Sequence, residues 1–196
     1  MTKLQMLEER MNAQDGLISV ADAAELHISK EYFMEFVRKS GLERVAHGVY
    51  LSADAWQDAF QILQMRFPNA VYSHETAAYL LNIAEREPMK LTVTVKTGYH
   101  AKGLSETAKV YQIQERLLEL GMTEVNSPFG HPLRCYNAER TVCDLIRSRS
   151  QVEIQDLLYA VKTYIQQKGR NIPLLTRYAK ELHVDSQLHK YLEVLL

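Results

Sequence analysis

The chain has 196 residues, of which 46% are hydrophobic and 24% are charged, and its formal net charge is −1. This composition is ordinary for a globular protein and excludes collagen-like, disordered and disulfide-scaffold chains. The balanced charge argues against a protein that coats nucleic acid without specificity, but it is compatible with one local basic face. No stretch reaches the ~18 apolar residues of a membrane span, so the sequence predicts no membrane partner.

The compartment is predicted from the cysteines and from the start of the chain. Cys135 and Cys143 lack the spacing of a metal or redox motif, which favours two reduced structural thiols. Glu8, Glu9 and Arg10 interrupt the only apolar candidate for a signal peptide in the first thirty residues. We therefore expect the protein in the cytoplasm.

The first third of the chain predicts three helices and a hairpin. An amphipathic helix carries Leu4, Leu7 and Met11 and ends near Gly16. Two capped helices follow, the first after Ser19 over residues 20–26 and the second after Ser29 over residues 30–40. Two short strands, residues 42–46 and 49–51, then flank His47-Gly48, which is a tight-turn signal. A fourth helix is predicted near residues 54–66, with Trp56, Phe60 and Leu63 on one side.

The rest of the chain predicts an α+β domain with a helical tail. A brief apolar piece at residues 70–72 leads into a predicted helix over residues 74–81. Leu91–Val95 is the clearest strand, and shorter strands are expected near residues 110–113, 123–126 and 133–136. From Asn137 onward the apolar spacing is helical to the end. Its amphipathic helices are expected to pack on this domain, and dimerisation through Ser186–Leu196 is the alternative. The predicted fold class is thus α+β, with an N-terminal winged helix-turn-helix over residues 1–66 and a mixed α/β domain over residues 67–196.

The order helix, capped helix, turn, capped helix and hairpin is typical of a winged helix-turn-helix that reads DNA. The helix over residues 30–40 offers Phe33, Phe36 and Val37 to the core and a polar face to the major groove. Ser29 at its start provides N–H groups for a phosphate, and the hairpin is placed to contact the backbone or the minor groove. The candidate DNA-binding residues are Ser29, Lys30, Tyr32, Arg38, Lys39, Arg44 and His47.

Electrostatics limits the affinity of one such module. Within residues 26–51 the basic side chains are opposed by Glu31, Glu35 and Glu43. Neutralising about four phosphates would give a salt slope of only about −3.6. Tight binding therefore requires several copies on repeated half-sites, or further cations from the region around Lys96, Lys102 and Lys109. That basic region is predicted either as an idle solvated loop or as a contact for DNA, tRNA or a toxin.

Three segments together resemble the AbiEi-type antitoxins of bacterial type IV toxin–antitoxin systems. The first is the run Gly16-Leu17-Ile18-Ser19 … Gly41-Leu42-Glu43-Arg44-Val45 … Gly48-Val49-Tyr50. The second is Tyr72-Ser73-His74-Glu75-Thr76-Ala77, and the third is Ala138-Glu139-Arg140-Thr141-Val142-Cys143-Asp144-Leu145. The resemblance covers roughly residues 5–150, and the three segments in this order make it fairly specific.

The resemblance implies a regulator with two domains. Its winged helix would bind inverted repeats upstream of its own operon as a repressor, with several copies assembling on the double-stranded DNA. Its C-terminal domain would counter a toxin that resembles a nucleotidyltransferase, without forming a stable complex, in abortive infection by phage. The family's DNA contacts correspond to the helix after Ser29 and to the wing at Arg44–Tyr50. The acidic residues Glu31 and Glu35 depart from the basic recognition helix expected of the family, and the helices after Val152 match no motif of it.

Structural roles explain two clusters, Ser73-His74-Glu75, which invites a catalytic interpretation, and the charged group Glu139, Arg140 and Asp144. In Ser73-His74-Glu75, adjacent helical residues point to different sides, so we expect Ser73 to cap a helix and Glu75 to favour its start. Arg140 and Asp144 are four residues apart, which predicts an ion pair on a helix surface, with a buried network or a partner site as alternatives.

The sequence thus predicts a DNA-binding repressor and antitoxin rather than an enzyme. The seven histidines show no ligand spacing, and no glycine-rich phosphate loop is present, so no catalytic residue, metal or cofactor is predicted. Two alternatives from other classes stay open: a kinase-like enzyme that modifies the toxin, and a module that sequesters it.

Overall fold

A computed structural model, which describes residues 1–195, gives the chain a mixed α+β fold with two sheets. The chain forms two compact units, Met1–Pro68 and a second unit from Asn69 onward. The border predicted from the sequence lies after residue 66. Within the described residues, no helix is both long enough and apolar enough to cross a membrane.

The first unit combines helices with a three-stranded antiparallel sheet. The strand order is β1–β3–β2, with Ser19 opposite Val49 and Arg44 opposite Tyr50. The elements of residues 1–68 are α1 (Lys3–Asn12), β1 (Leu17–Ser19), α2 (Val20–Glu25), α3 (Lys30–Lys39), β2 (Glu43–Ala46), β3 (Val49–Leu51) and α4 (Ala59–Arg66).

Helix caps and two apolar clusters determine the form of this unit. The Ser19 hydroxyl accepts a hydrogen bond from the Asp22 N–H, and the Asp22 carboxylate accepts one from the Ser19 N–H, which together form a capping box. The rings of Phe33 and Tyr50 meet edge to face, with centroids 5.6 Å apart, and join α3 to the hairpin. Buried residues of every element from α1 to β3 except β2 complete the core of this unit: Leu7, Leu17, Ile18, Ala23, Phe36, Val37, Val49 and Leu51.

Three predictions for the first unit are wrong in detail. The fourth helix begins only after Asp58, whose carboxylate accepts hydrogen bonds from the N–H groups of Phe60 and Gln61. Trp56 therefore precedes the helix and is 84% exposed instead of lining its inner side. Leu4 is exposed as well. The segment after Gly16 forms the strand β1, which the sequence analysis missed because three residues are too few to show an alternating pattern.

The second unit is built on a five-stranded mixed sheet with the order β6–β5–β4–β8–β7. The β5–β6 and β4–β8 pairs are parallel, and the β4–β5 and β7–β8 pairs are antiparallel. Its described elements are β4 (Val71–Tyr72), α5 (His74–Leu80), β5 (Thr92–Lys96), α6 (Leu104–Thr107), β6 (Lys109–Ile113), α7 (Glu115–Leu118), β7 (Met122–Asn126), β8 (Pro132–Tyr136), α8 (Ala138–Arg147), α9 (Ile154–Gln166), α10 (Ile172–Glu181) and α11 (Asp185–Leu195).

Helix α8 lies at the centre of this unit. All but its two terminal residues are buried, and its apolar residues join α9, α10 and α11 in one core cluster. Leu188 and Leu192 of α11 belong to this cluster, so the side of the last helix that was considered for dimerisation packs within the unit. Leu196, the end of that predicted stretch, lies outside the described residues.

We expect Gly121→Ala to destabilise the protein more than Gly130→Ala does. Both glycines have a positive φ, 76° and 91°, so alanine costs roughly 1–2 kcal/mol at each position. A Cβ on Gly121 would lie 2.6 Å from Cβ of Arg140 and 3.1 Å from the Tyr178 ring, whereas nothing lies within 4 Å of a Cβ on Gly130. The extra overpacking adds about 1–3 kcal/mol at Gly121. Urea unfolding of both variants measures the difference, and equal losses would contradict the close contact.

Candidate functional site

Helix α3 separates an apolar back from a polar outer face. Phe33, Phe36 and Val37 are buried in the core of the first unit. The Ser29 hydroxyl accepts a hydrogen bond from the Tyr32 N–H at 3.4 Å and caps the helix. The cations predicted to contact DNA, Lys30, Arg38 and Lys39, are all exposed in the structure.

The three cations of this face differ in their partners. Lys39 Nζ lies 2.8 Å from Oε1 of Glu35, and this hydrogen bond and charge lower the pKa of the Glu35 carboxyl. Among the described residues, Lys30 and Arg38 have no ion pair within 4.0 Å, so their charges are available to a ligand. Glu31 is exposed beside them and reduces the positive charge of the face.

The remaining predicted contacts of the first unit lie at the edge of α3 and on the hairpin. Tyr32 is only half-exposed, because it packs against the core cluster and under the Lys3 ammonium, 5.6 Å from the ring centroid. Arg44 and His47 are exposed, and Nη2 of Arg44 lies 2.9 Å from Nδ1 of His47. Arg44 Nε also donates to the Ala46 carbonyl at 3.3 Å, so the two side chains are held together at the turn.

The three lysines predicted as further contacts do not form one basic patch. In the parallel β5–β6 pair, Lys109 lies opposite Thr92 and Lys96 lies opposite Ile113, which separates the two lysines by about 13 Å along the strands. Lys96 is exposed and paired with Glu115 at 3.2 Å, and Lys102 is exposed in the following loop.

Lys109 lies at the start of β6 in a half-buried ion pair instead of in a solvated loop. Its ammonium donates to Oε1 of Glu75 at 3.0 Å and to the Gln151 carbonyl at 2.9 Å. Burial lowers the pKa of Lys109, but the Tyr111 hydroxyl nearby and the Glu75 carboxylate outweigh burial and raise the pKa above its usual range. The idle solvated loop, one of the two predicted alternatives, therefore does not apply to Lys109.

The predicted capping role of Ser73 is corrected, whereas Glu75 lies in the first turn of α5, as predicted. The Ser73 hydroxyl makes no capping bond to α5. It accepts a hydrogen bond from the Thr94 hydroxyl at 2.8 Å and lies 2.9 Å from Nδ1 of His74. Adjacent side chains meet here because Ser73 is extended and His74 has a φ of 49°, so helical geometry does not apply between them. Glu75 pairs with Lys109 and takes no part in this chain of hydrogen bonds.

His74 is buried and continues this series of hydrogen bonds. Its ring stacks on Tyr111 with centroids 3.7 Å apart, and Nε2 lies 3.0 Å from the Ser148 hydroxyl. Burial lowers the pKa of His74 well below 6.5, and the positive charges of Lys109, Arg140 and Arg147 lower it further. The imidazole is therefore neutral at pH 7, which makes it a hydrogen-bonding group and a weak base.

Arg140 and Asp144 form an ion pair in the interior instead of on a helix surface. The distance from Nε of Arg140 to Oδ2 of Asp144 is 2.9 Å, and the side chains are 0% and 3% exposed. Nη1 of Arg140 donates to the carbonyls of Leu117 and Leu120, each at 2.8 Å. Burial raises the pKa of Asp144, and the charge of Arg140 opposes that shift. The buried network, one of the two alternatives to the surface pair, is what the structure contains.

A cavity of about 220 Å³ brings these two sequence segments together. It is lined by His74 from α5, Arg140 and Asp144 from α8, Tyr111 from β6 and Ser148 after α8. Tyr111 and Ser148 were not among the predicted site residues, because nothing in their local sequence links them to His74. Within the described residues, no group of three His, Cys, Asp or Glu side chains could hold a metal ion.

No family model matches the chain, and no curated protein matches it either. Among solved structures, the chain is similar to the RV2827C protein from Mycobacterium tuberculosis, with 14% sequence identity and a TM-score of 0.55. The similarity covers 95% of this chain and 77% of that one. At this level of identity the two proteins share a fold, which supports the α+β class.

We expect the stability of the protein to fall with pH below about 6.5, partly because of His74. The folded state keeps His74 unprotonated, whereas the unfolded chain binds a proton near the ordinary pKa of 6.5. Each pH unit below 6.5 therefore lowers the free energy of unfolding by up to about 1.4 kcal/mol. Above pH 6.5 this loss is absent. Chemical unfolding between pH 7.5 and 5 measures the slope.

The His74→Gln variant should show a shallower pH dependence by that amount. The matched control is His100→Gln, because His100 is exposed in a loop of the same unit. The control should keep the wild-type slope. If His74→Gln also keeps it, His74 is not held neutral in the folded protein.

Proposed function

We propose that the first unit is a winged helix-turn-helix that binds double-stranded DNA and makes the chain a transcriptional repressor. The observation that carries the proposal is the division of α3 into a buried apolar back and an outer face with two unpaired cations, directly before the β2–β3 hairpin. An α-helix with that division, preceded by a short capped helix, is the recognition element of this class.

The dimensions of α3 suit the major groove. Its ten residues span about 15 Å, and the major groove of B-DNA is about 12 Å wide. Arg38 is the residue of choice for guanine, since its guanidinium can donate two parallel hydrogen bonds to a base edge. Ser29 and the N–H groups at the start of α3 face a phosphate, and Arg44 with His47 contacts the backbone from the wing.

The charge of the face requires more than one copy on the DNA. Glu31 and Glu35 lie among the cations of α3, and Lys39 is paired with Glu35. Phosphate attraction is therefore weak for one module, and the affinity depends on base contacts and on repeated half-sites. Binding to inverted repeats by two or more copies supplies both.

We expect the double substitution Arg38→Ala and Lys39→Ala to weaken binding to an inverted repeat upstream of the gene by at least about tenfold. Each lost base contact costs about 1–3 kcal/mol of binding free energy. Each lost phosphate contact reduces the salt slope by about 0.9. Fluorescence anisotropy with the promoter fragment, at several salt concentrations, measures both quantities.

The matched control is the double substitution Lys162→Ala and Lys168→Ala, which removes the same charge from exposed positions of the second unit. It should leave the affinity nearly unchanged. Glu31→Gln should strengthen binding, because it removes an acidic group from the face. Unchanged affinity of the Arg38 and Lys39 double variant, with an intact fold, would rule out α3 as the reading element.

We further propose that the chain is the antitoxin of a type IV pair, acting in phage abortive infection against a nucleotidyltransferase-like toxin without a stable complex. This step depends on the resemblance of three segments to AbiEi-type antitoxins. Two of those segments contribute α5 and α8, and both line the cavity of the second unit. That proximity supports the idea that the segments serve one common purpose in the protein, separate from the DNA-binding face.

We expect the chain to rescue cells from a toxin encoded by the neighbouring gene, and the Arg38 and Lys39 double variant to rescue them equally. The reason is that neutralisation belongs to the second unit, whereas those substitutions change only the DNA-binding face. Growth of cells expressing both proteins from unrelated promoters is the measurement.

Failure of rescue would contradict the antitoxin role. A stable complex on co-purification would favour toxin sequestration, and transfer of labelled phosphate from ATP to the toxin would favour a kinase-like enzyme.

A further inference from the structure

The cavity between α5 and α8 has polar walls contributed by four separate parts of the second unit. His74 is the first residue of α5, Tyr111 lies on β6, Arg140 and Arg147 lie on α8, and Ser148 follows α8. Its volume is about 220 Å³, which is below the range of about 300–1,000 Å³ for sites that take drug-sized ligands. It is large enough for a few waters or for one compact polar group.

Two buried polar atoms of this wall have no hydrogen-bond partner. Arg140 is 0% exposed, and three acceptors satisfy its Nε and Nη1 groups, but Nη2 has none. The Tyr111 hydroxyl has no partner in hydrogen-bond geometry, although it lies close enough to the Lys109 ammonium to raise the pKa of Lys109. Leaving a buried charged donor unsatisfied is costly, so each such group in a native protein requires an explanation.

The charge of the wall is positive. Arg140 and Arg147 oppose the one carboxylate of Asp144, and His74 is neutral. Asp144 pairs with Arg140 through Oδ2, so the excess positive charge of the wall is that of Arg147. Arg147 is exposed at the end of α8 and has no ion pair among the described residues. A ligand with negative charge would complete this balance.

We propose that this cavity binds a small tetrahedral oxyanion, either inorganic phosphate or the phosphate group of a larger molecule. The oxyanion would accept hydrogen bonds from Nη2 of Arg140, from the Tyr111 hydroxyl and from Arg147. Arginine suits this role because its planar guanidinium donates to phosphate oxygens in pairs, and charge-assisted bonds of this kind are about twice as strong as neutral ones. The volume favours the phosphate group itself over a whole nucleotide inside the cavity.

Titration of the full chain with sodium phosphate tests the site. Calorimetry and ³¹P NMR should show saturable binding of one phosphate, at an ionic strength held constant with sodium chloride. Arg147→Gln should raise the Kd at least about tenfold, because it removes a charge-assisted contact at an exposed position. The matched control is Arg149→Gln, since Arg149 is exposed two residues further on and does not line the cavity.

A second variant separates binding from folding. Tyr111→Phe keeps the stacked ring and removes only the hydroxyl beside Lys109, so the thermal unfolding temperature in the absence of phosphate should change little. Its Kd for phosphate should nevertheless rise several-fold. Arg140 itself is a poor test residue, because its replacement would leave Asp144 buried without a partner.

Further titrations distinguish the source of the phosphate group. A nucleoside monophosphate that binds more tightly than inorganic phosphate, while the nucleoside alone does not bind, identifies a larger phosphorylated ligand. Tighter binding of inorganic phosphate identifies the free ion. The proposal is overturned if phosphate does not bind, if chloride competes with equal affinity, or if Arg149→Gln weakens binding as much as Arg147→Gln. The phosphate-binding proposal does not depend on DNA binding, which is proposed for the first unit.

Discussion

The guanidinium of Arg140 is the interaction on which the second unit depends. It joins α8 to the chain around α7 through the carbonyls of Leu117 and Leu120, and it pairs with Asp144 one turn further along its own helix. Gly121 lies against its Cβ, and the Tyr136 ring lies 4.2 Å from Cζ. Removing one partner of such a pair strands the other charge in the interior, which typically costs about 3–5 kcal/mol. Apolar residues at these positions could stabilise the protein as well as the ion pair does. The unsatisfied Nη2 therefore indicates that the pair has a second role besides stability.

The two units use their charged residues in opposite ways. In the first unit the apolar residues of α3 are buried and its cations are exposed, so the charge is available to a large polyanion. In the second unit Arg140, Asp144 and His74 are buried around a small cavity, and Lys109 is half-buried beside Glu75. Charges at a surface act through long-range attraction that salt screens, whereas buried charges act through a few fixed hydrogen bonds. A DNA-reading face and a compact oxyanion site are the functions that these two arrangements favour.

Particular elements show where sequence reasoning succeeded and where it failed. Ser19 and Ser29 were read as helix caps, and both cap, because a cap depends on residues within one turn. The sequence predicts the same role for Ser73, which does not cap, because its hydroxyl accepts a hydrogen bond from Thr94, 21 positions away. The Arg140–Asp144 spacing correctly predicted the ion pair, yet not its burial, because the chain at Leu117 and Leu120, 20 or more positions away, packs against Arg140. Trp56 was assigned to a helix that Asp58 starts two residues later.

The sequence by itself determined the local features: most of the longer helices and strands, the α+β class, the apolar back of α3 and the hairpin around His47-Gly48. These follow from spacing, capping and turn chemistry, which act between residues close in the chain. Only the tertiary structure decided that Tyr111, Ser148 and the two charged segments meet at one cavity, and that Lys109 pairs with Glu75. Burial and long-range pairing depend on which faces of distant elements pack together, and no local pattern encodes that choice.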